Sequence, residues 1–188
     1  MDKTIAMLGG NGYIGTATIK EWLMRDTQTQ FIVVSRHCNT KIDNPRVSAV
    51  AADCTDADAL VAALPQHLDG ICCFVGGMDP ASNMPPAKVM AAVAKQKGCV
   101  RMGYIQGKLG GKDFVNSKAQ AADFLREAGE KDGIQTVIVN PTLVYGDGRS
   151  DSLMKMVPLL KFCGIFNKNM KPVEVADVAR EFVDGMTR

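Results

Sequence analysis

Residues 5–15 read "IAMLGGNGYIG". A short apolar run passes into glycines spaced G-x-x-G-x-x-G (Gly9, Gly12, Gly15) and then into a segment with helical periodicity, 13–25. A buried strand, a tight turn and a helix in that order make a phosphate-binding turn. Gly9 permits the turn, Gly12 lets a pyrophosphate approach the backbone, and Gly15 lets the helix pack on its strand, with Tyr13 and Ile14 between them. The helix start supplies free amides and a partial positive charge. A glycine pattern alone is a weak signal, but its strand–turn–helix context points to dinucleotide binding.

Further short apolar runs follow: "FIVVS" (31–35), "VSAVA" (47–51), "GICCFV" (70–75), "RMGYI" (101–105) and "TVIVN" (136–140). With "TIAML" (4–8) they have the near-continuous hydrophobicity of strands buried on both faces. Segments 56–64, 86–97 and 115–130 carry apolar residues at helical spacing. Strands alternating with helices predict parallel strands with right-handed crossovers, hence an α/β three-layer, Rossmann-like, doubly wound sheet. Asn83 is placed to cap the helix after "NMPP", where Pro85 and Pro86 fit the first turn, and Gly98 and Gly133 are placed to end helices. After "PTLVYGDG" the chain offers helices near Leu153–Cys163 and Val175–Met186. The expectation is one domain over 1–188, with about 147–188 forming a small C-terminal helical flank on the substrate side.

Composition narrows the function. Twenty-two basic and twenty acidic side chains give a formal charge of +2 with no basic arm, so neither nucleic acid nor an anionic membrane is expected as a partner. Six cysteines (Cys38, Cys54, Cys72, Cys73, Cys99, Cys163) form no CxxC pair and no zinc spacing with histidine, so no metal is expected. Several sit in apolar runs, which points to a reducing cytoplasm. The N-terminus has no signal-peptide h-region and no apolar span near the ~20 residues that cross a bilayer. A soluble, unexported protein is expected.

Other site residues follow from the strand ends. About 20 residues past the last glycine, where an NAD site places an acidic residue for the adenosine ribose, stand Ser35 and Arg36. A hydroxyl and a guanidinium can bind a 2′-phosphate, and no carboxylate repels it, so NADP(H) is favoured over NAD(H). Asp53 and Cys54 end the next strand, where a side chain could contact adenine; Asp53 could equally cap the helix near Asp56. Gly76 and Gly77 allow close approach at the carboxyl edge of the sheet.

These features, with "FVNSK" (114–118), "NPTLVYG" (140–146) and "KPVEVADVA" (171–179), resemble the short-chain dehydrogenase/reductase superfamily, in its extended and atypical branch of epimerase/dehydratase-like proteins. The resemblance implies that Pro141 lies by the cofactor and that Lys118 hydrogen-bonds the nicotinamide ribose. In that family a tyrosine four residues before the lysine exchanges a proton with substrate, helped by a Ser or Thr after the fifth strand. Here those positions hold Phe114 and, in "GYIQGKLGG", Gln106 and Gly107. Phe114 and Lys118 still share a helix face. A proton must then come from Lys118, Tyr145, Tyr104, Lys108 or solvent, or the acceptor must be one reduced without help, such as a flavin or quinone.

Two readings remain open. One is an NADP(H)-dependent oxidoreductase or epimerase-like enzyme acting on a small substrate, with Lys118 and Tyr145 as candidate catalytic groups. The other is a non-catalytic NADP(H)-sensing module acting through a protein partner. Members of the family often pair through the lysine-bearing helix, so a homodimer rests on the resemblance alone.

Overall fold

The computed structural model describes residues 3–150, 152–166 and 171–188. Parts of the expected 147–188 flank (151 and 167–170) and the side chain of Cys163 lie outside the described residues. Six parallel strands form one sheet: β1 (Thr4–Leu8), β2 (Gln30–Ser35), β3 (Val47–Ala51), β4 (Gly70–Cys73), β5 (Arg101–Ile105) and β6 (Gln135–Val139). Their order is β3-β2-β1-β4-β5-β6, so the chain reverses direction across the sheet between β1 and β4. That switch point opens a crevice at the carboxyl ends of the strands.

Helices α1 (Tyr13–Arg25), α2 (Ala57–Ala63), α3 (Met84–Gln96), α4 (Lys112–Asp132), α5 (Val157–Phe166) and α6 (Val175–Thr187) complete the fold, with a second small sheet of β7 (Val144–Tyr145) and β8 (Val173–Glu174). Alternation along β1 separates two cores. Ala6 and Leu8 join Leu60, Met90, Val93, Ala122 and Leu125 under α2, α3 and α4. Ile5 and Met7 join Ile19, Trp22, Phe31, Val178, Phe182 and Val183 under α1 and α6. Successive strand residues face opposite sides, so one sheet supports a helical layer on each. In α6 the buried residues are Val175, Val178, Ala179, Phe182, Val183 and Met186, the three- and four-residue spacing of one apolar stripe.

Several expected boundaries shift for physical reasons. β4 ends at Cys73 and not at residue 75, because its partner β1 ends at Leu8 and the Phe74 amide takes the last carbonyl, Leu8 O, at 2.9 Å. α4 runs from Lys112 to Asp132, beyond the expected 115–130, and stops at Gly133 with φ +69°. The helix expected at Leu153–Cys163 begins as a 3-10 turn over Ser152–Met156 and becomes α-helical at Val157, with Pro158 in the first turn where its missing N–H costs nothing. Asn83 precedes α3 but makes no capping bond; its side chain works elsewhere.

Candidate functional site

The glycine turn builds the floor of the crevice. The Gly9 amide donates to Val34 O at 3.0 Å and the Gly12 amide to Gly9 O at 2.8 Å, which ties the turn to the end of β2. A Cβ at Gly15 would lie 2.8 Å from both Gly9 O and Gly10 Cα, so only glycine lets α1 start this close to the turn. Gly12 caps α1 without any side-chain bond, which leaves the first-turn amides to a ligand.

Above this floor is a cavity of about 740 Å³ lined by residues that follow β1, β4, β5 and β6 and by the starts of α1 and α4. Gly12, Tyr13, Ile14 and Gly15 come from the turn; Gly76 and Gly77 follow β4; Gln106 and Gly107 follow β5; Pro141 follows β6; Phe114 and Lys118 come from α4. The sequence-expected residues Gly12, Tyr13, Ile14, Gly15, Gly76, Gly77, Lys118 and Pro141 are thus brought together. Gly9 supports the turn, while Ser35, Arg36, Asp53, Cys54 and Tyr145 are not among the lining residues.

Lys118 is 8% exposed. Its Nζ donates to Ile105 O at 3.3 Å and lies 4.9 Å from the centre of the Tyr104 ring. Burial draws its pKa below the usual lysine range, against an opposing pull from Cys73. Gly76 makes room for it: a Cβ there would come within 2.7 Å of Lys118 Nζ and 2.5 Å of Asn83 Oδ1. Phe114, one turn earlier, packs against the glycine-rich loop after β5, since a Cβ at Gly110 would meet its Cδ1 at 2.6 Å.

The fully buried Asn83 holds the opposite wall. Its Oδ1 accepts from the Gly77 amide at 3.1 Å, and its Nδ2 donates to Gly77 O at 3.2 Å and Ser117 Oγ at 3.0 Å. The Ser117 hydroxyl in turn donates to Phe114 O at 2.9 Å. The residue read as a helix cap is therefore a clamp between the Gly76–Gly77 loop and α4. An Asn side chain can do this because it carries both a donor and an acceptor, as a backbone amide does.

Other expectations change with the structure. Asp56, not Asp53, caps α2 by accepting from the Ala59 amide at 3.0 Å; Asp53 accepts from the Thr55 amide and hydroxyl instead, bonds that pull its pKa down with help from Arg36. Cys54 is buried, its thiol pushed up to about 12 by desolvation. The Ser35 hydroxyl donates to His37 O at 2.5 Å. Tyr104 is wholly buried with no hydroxyl partner among the described residues, and burial raises its pKa, so it reaches no substrate as a proton donor. Tyr145 directs its hydroxyl to Glu174 Oε1 at 3.1 Å, with Lys161 Nζ 4.3 Å from its ring centre. Lys108 is exposed, and its amide donates to Pro141 O at 2.9 Å.

Asn11, Lys41 and Arg149 also line the cavity, though no expectation named them. Only the position of Asn11, inside the glycine motif, could have drawn attention to it. Among the described residues no group of three His, Cys, Asp or Glu could hold a metal ion, and no helix is long and apolar enough to cross a membrane.

Residues 5–96 match the model of the "NAD dependent epimerase/dehydratase family". No curated protein matches the sequence. Among solved structures, a short-chain dehydrogenase/reductase family oxidoreductase from Burkholderia thailandensis is similar at TM-score 0.76 and 16% identity, covering 100% of this chain and 86% of that one. The Bordetella bronchiseptica enzyme WbmH, in complex with NAD+, gives 0.69 and 19%, covering 99% of this chain and 73% of that one. A tyrosine-to-phenylalanine variant of ElxO with NADPH bound gives 0.75 and 16%, covering 100% and 92%. Sheet order, glycine turn and comparisons agree: residues 5–96 are similar to the epimerase/dehydratase family, and the chain has the Rossmann-like α/β fold of these solved structures.

Proposed function

We propose that the protein is an NADP(H)-binding, atypical short-chain dehydrogenase/reductase-like oxidoreductase or epimerase-like enzyme, acting on a small substrate without a tyrosine as proton donor. The observation that carries this reading is the pairing of Phe114 and Lys118 in one cavity with the uncapped start of α1. The residues fit a dinucleotide. The first-turn amides of α1 take a diphosphate, Gly76 and Gly77 let the chain come close, and the Lys118 ammonium holds ribose hydroxyls. A bound nicotinamide supplies or takes up a hydride.

The protein's own groups then determine the substrate class. Phe114 offers no acid, and Gln106, an amide, can accept or donate a hydrogen bond but cannot release a proton. Met78, Ile105, Leu109, Phe114 and Leu153 make that part of the lining apolar. A flat, easily reduced acceptor of quinone or flavin type fits, because its proton can come from water or Lys118. The proof is turnover: NADPH with a panel of flavins, quinones and small carbonyls, followed by absorbance of the reduced nicotinamide, against Gly12→Val and Lys118→Met controls. Absence of turnover with every acceptor refutes the enzyme reading.

The sensing reading is favoured by a separate observation. The Tyr13 hydroxyl donates to Gly146 O at 2.7 Å, joining the phosphate turn to the C-terminal flank, on which Met156, Leu159 and Phe162 are exposed. Tight NADPH binding without turnover selects it.

The NADP(H) preference is supported by Ser35 and Arg36 at the end of β2, with no carboxylate at those two positions. Thermal shift with NADPH and NADH tests it, because a ligand that binds only the folded state raises Tm. Equal or better protection by NADH refutes it.

A further inference from the structure

The two residues flanking Gly12 each hold, by side-chain hydrogen bonds, a loop that carries a cation. On one side, Asn11 Nδ2 donates to Asn39 O at 2.8 Å, and Asn11 Oδ1 accepts from the Lys41 amide at 3.0 Å. The next residue, Ile42, is buried in the core beside Phe31 and Val47. The backbone of Lys41 is therefore held on both sides, and its side chain lines the cavity. Among the described residues Lys41 makes no ion pair, in contrast to Arg25, Arg46, Lys95, Arg126 and Arg180.

On the other side, the Tyr13 hydroxyl donates to Gly146 O, and the Arg149 guanidinium lies 5.2 Å from the centre of the Tyr13 ring. The Arg149 amide donates to Gly146 O at 3.1 Å and its Nη1 to Val144 O at 2.8 Å. The chain turns back sharply enough for this because Gly146, Asp147 and Gly148 all have positive φ. Arg149 thus stands over the first residue of α1 and lines the same cavity as Lys41.

Among the described residues the charged ones lining the cavity are Lys41, Lys118, Arg149 and Asp147, three cations and one anion, in a chain whose formal charge is only +2. Lys118 sits in the wall formed by Gly76 and Asn83; the other two cations bracket the uncapped start of α1. A diphosphate there would meet backbone amides from below and a side-chain cation from each flank. Charge-assisted bonds of this kind are shorter and stronger than neutral ones.

We propose that Lys41 and Arg149 form a two-sided cationic clamp on the diphosphate of the bound dinucleotide, with Asn11 and Tyr13 as the residues that position them. This rests on the dinucleotide-binding part of the proposed function but not on turnover. The clamp acts on the diphosphate, so it strengthens NADPH and NADH equally. Arg36 is assigned the separate task of telling them apart.

The probe is ADP-ribose, which has the diphosphate but neither nicotinamide nor 2′-phosphate, titrated calorimetrically alongside NADPH and NADH. Lys41→Gln and Arg149→Gln are each expected to weaken ADP-ribose by about ten-fold or more, the usual effect of losing one hydrogen bond to a charged group. NADPH and NADH weaken by the same factor, leaving their ratio unchanged, and the salt dependence of binding falls. Asn11→Ala reproduces most of the Lys41→Gln loss, and the double variant is no worse than Lys41→Gln alone, as expected when one residue acts through another.

ADP-ribose affinity equal to wild type in both cation variants overturns the clamp. So does a loss confined to NADPH, which would make these residues 2′-phosphate readers, or a wild-type protein that does not bind ADP-ribose. Melting of the ligand-free variants checks their folding; if Arg149→Gln fails to fold, the exposed Lys41 decides the matter alone. Wild-type protein that binds ADP-ribose through the clamp yet turns over no acceptor leaves the clamp standing and removes the oxidoreductase reading.

Discussion

Replacing Lys118 by methionine should weaken the ligand while sparing the fold. An ammonium has three N–H donors. In the ligand-free protein Ile105 O takes one at 3.3 Å and the Tyr104 ring shields the group without accepting a hydrogen bond. The remaining donors have no protein acceptor among the described residues. A hydrogen bond from a charged donor to a ribose hydroxyl contributes about 1.5–3 kcal/mol, so its loss should raise the Kd for NADPH about 10- to 150-fold. The ligand-free protein should respond in the opposite sense. Burial lowers the pKa of Lys118 from 10.5, so the unfolded chain binds a proton over a pH window in which the folded one has released it. The resulting penalty on stability is complete below the folded pKa and is relieved as pH rises through that window towards and past 10.5. Methionine keeps the length of the side chain and carries no such penalty. Its Tm without ligand should equal or exceed that of the wild type at neutral pH, with the advantage shrinking in strong alkali. Fluorescence titration with NADPH and melting curves across pH read both effects. A variant that binds NADPH as tightly as the wild type would falsify the assignment of Lys118 to the ligand; one that melts lower at neutral pH would show that its bond to Ile105 outweighs desolvation.

Three further outcomes follow from the same geometry. Phe114→Tyr should raise kcat/KM for small carbonyls by about 10² to 10⁴-fold, the usual worth of a positioned proton donor; Cζ lies 3.8 Å from where a Cβ would stand at Gly107, so glycine leaves room for the hydroxyl, and no gain at unchanged NADPH affinity would sink the idea. Arg36→Ala should abolish any excess of NADPH over NADH protection in thermal shift, whereas an unaltered preference would transfer that role to another cation. Lys97→Met should cost about 1–3 kcal/mol in urea unfolding, because the buried Lys97 Nζ donates to Val61 O at 2.7 Å and Leu64 O at 3.0 Å at the end of α2; a neutral result would mean that those carbonyls find water.

The sheet was legible because each strand is a short apolar run bounded by glycine, proline or charge, and because α1 follows a glycine turn whose residues leave no other packing. The resemblance drew attention to Lys118, and the strand-end glycines to Gly76 and Gly77, all of which line the cavity. Hidden from the sequence were contacts between residues distant along the chain. Asn83 looks like a cap because it precedes two prolines, yet its amide pairs with Gly77 and reaches Ser117, 34 positions away. Tyr13 and Gly146 are 133 positions apart, and nothing in "GGNGYIG" or "YGDGR" predicts that they meet. Tyr145 shows the converse. A tyrosine next to a glycine-rich strand end reads as a candidate acid, but Tyr145 pairs across the β7–β8 ladder with Glu174 and gives its hydroxyl to that carboxylate.

Burial of an unpaired polar atom does not by itself mark a ligand site, and this protein supplies the comparison. Trp22 Nε1, Tyr104 Oη and Asn140 Oδ1 are buried with no hydrogen-bond partner among the described residues. Trp22 lines a cavity of about 120 Å³ with Asp26, Thr29 and Asp69, near the amino ends of the strands and away from the glycine turn, a space suited to water. Tyr104 and Asn140 line neither cavity. Lys118 differs in two respects. It is charged, so leaving its donors unmet is the costlier choice, and it faces the cavity that the uncapped helix also faces. A chain selected only for stability would place methionine or leucine there. Keeping the lysine beside Phe114 is what the proposed site, holding a ribose and leaving protonation to the substrate or solvent, requires.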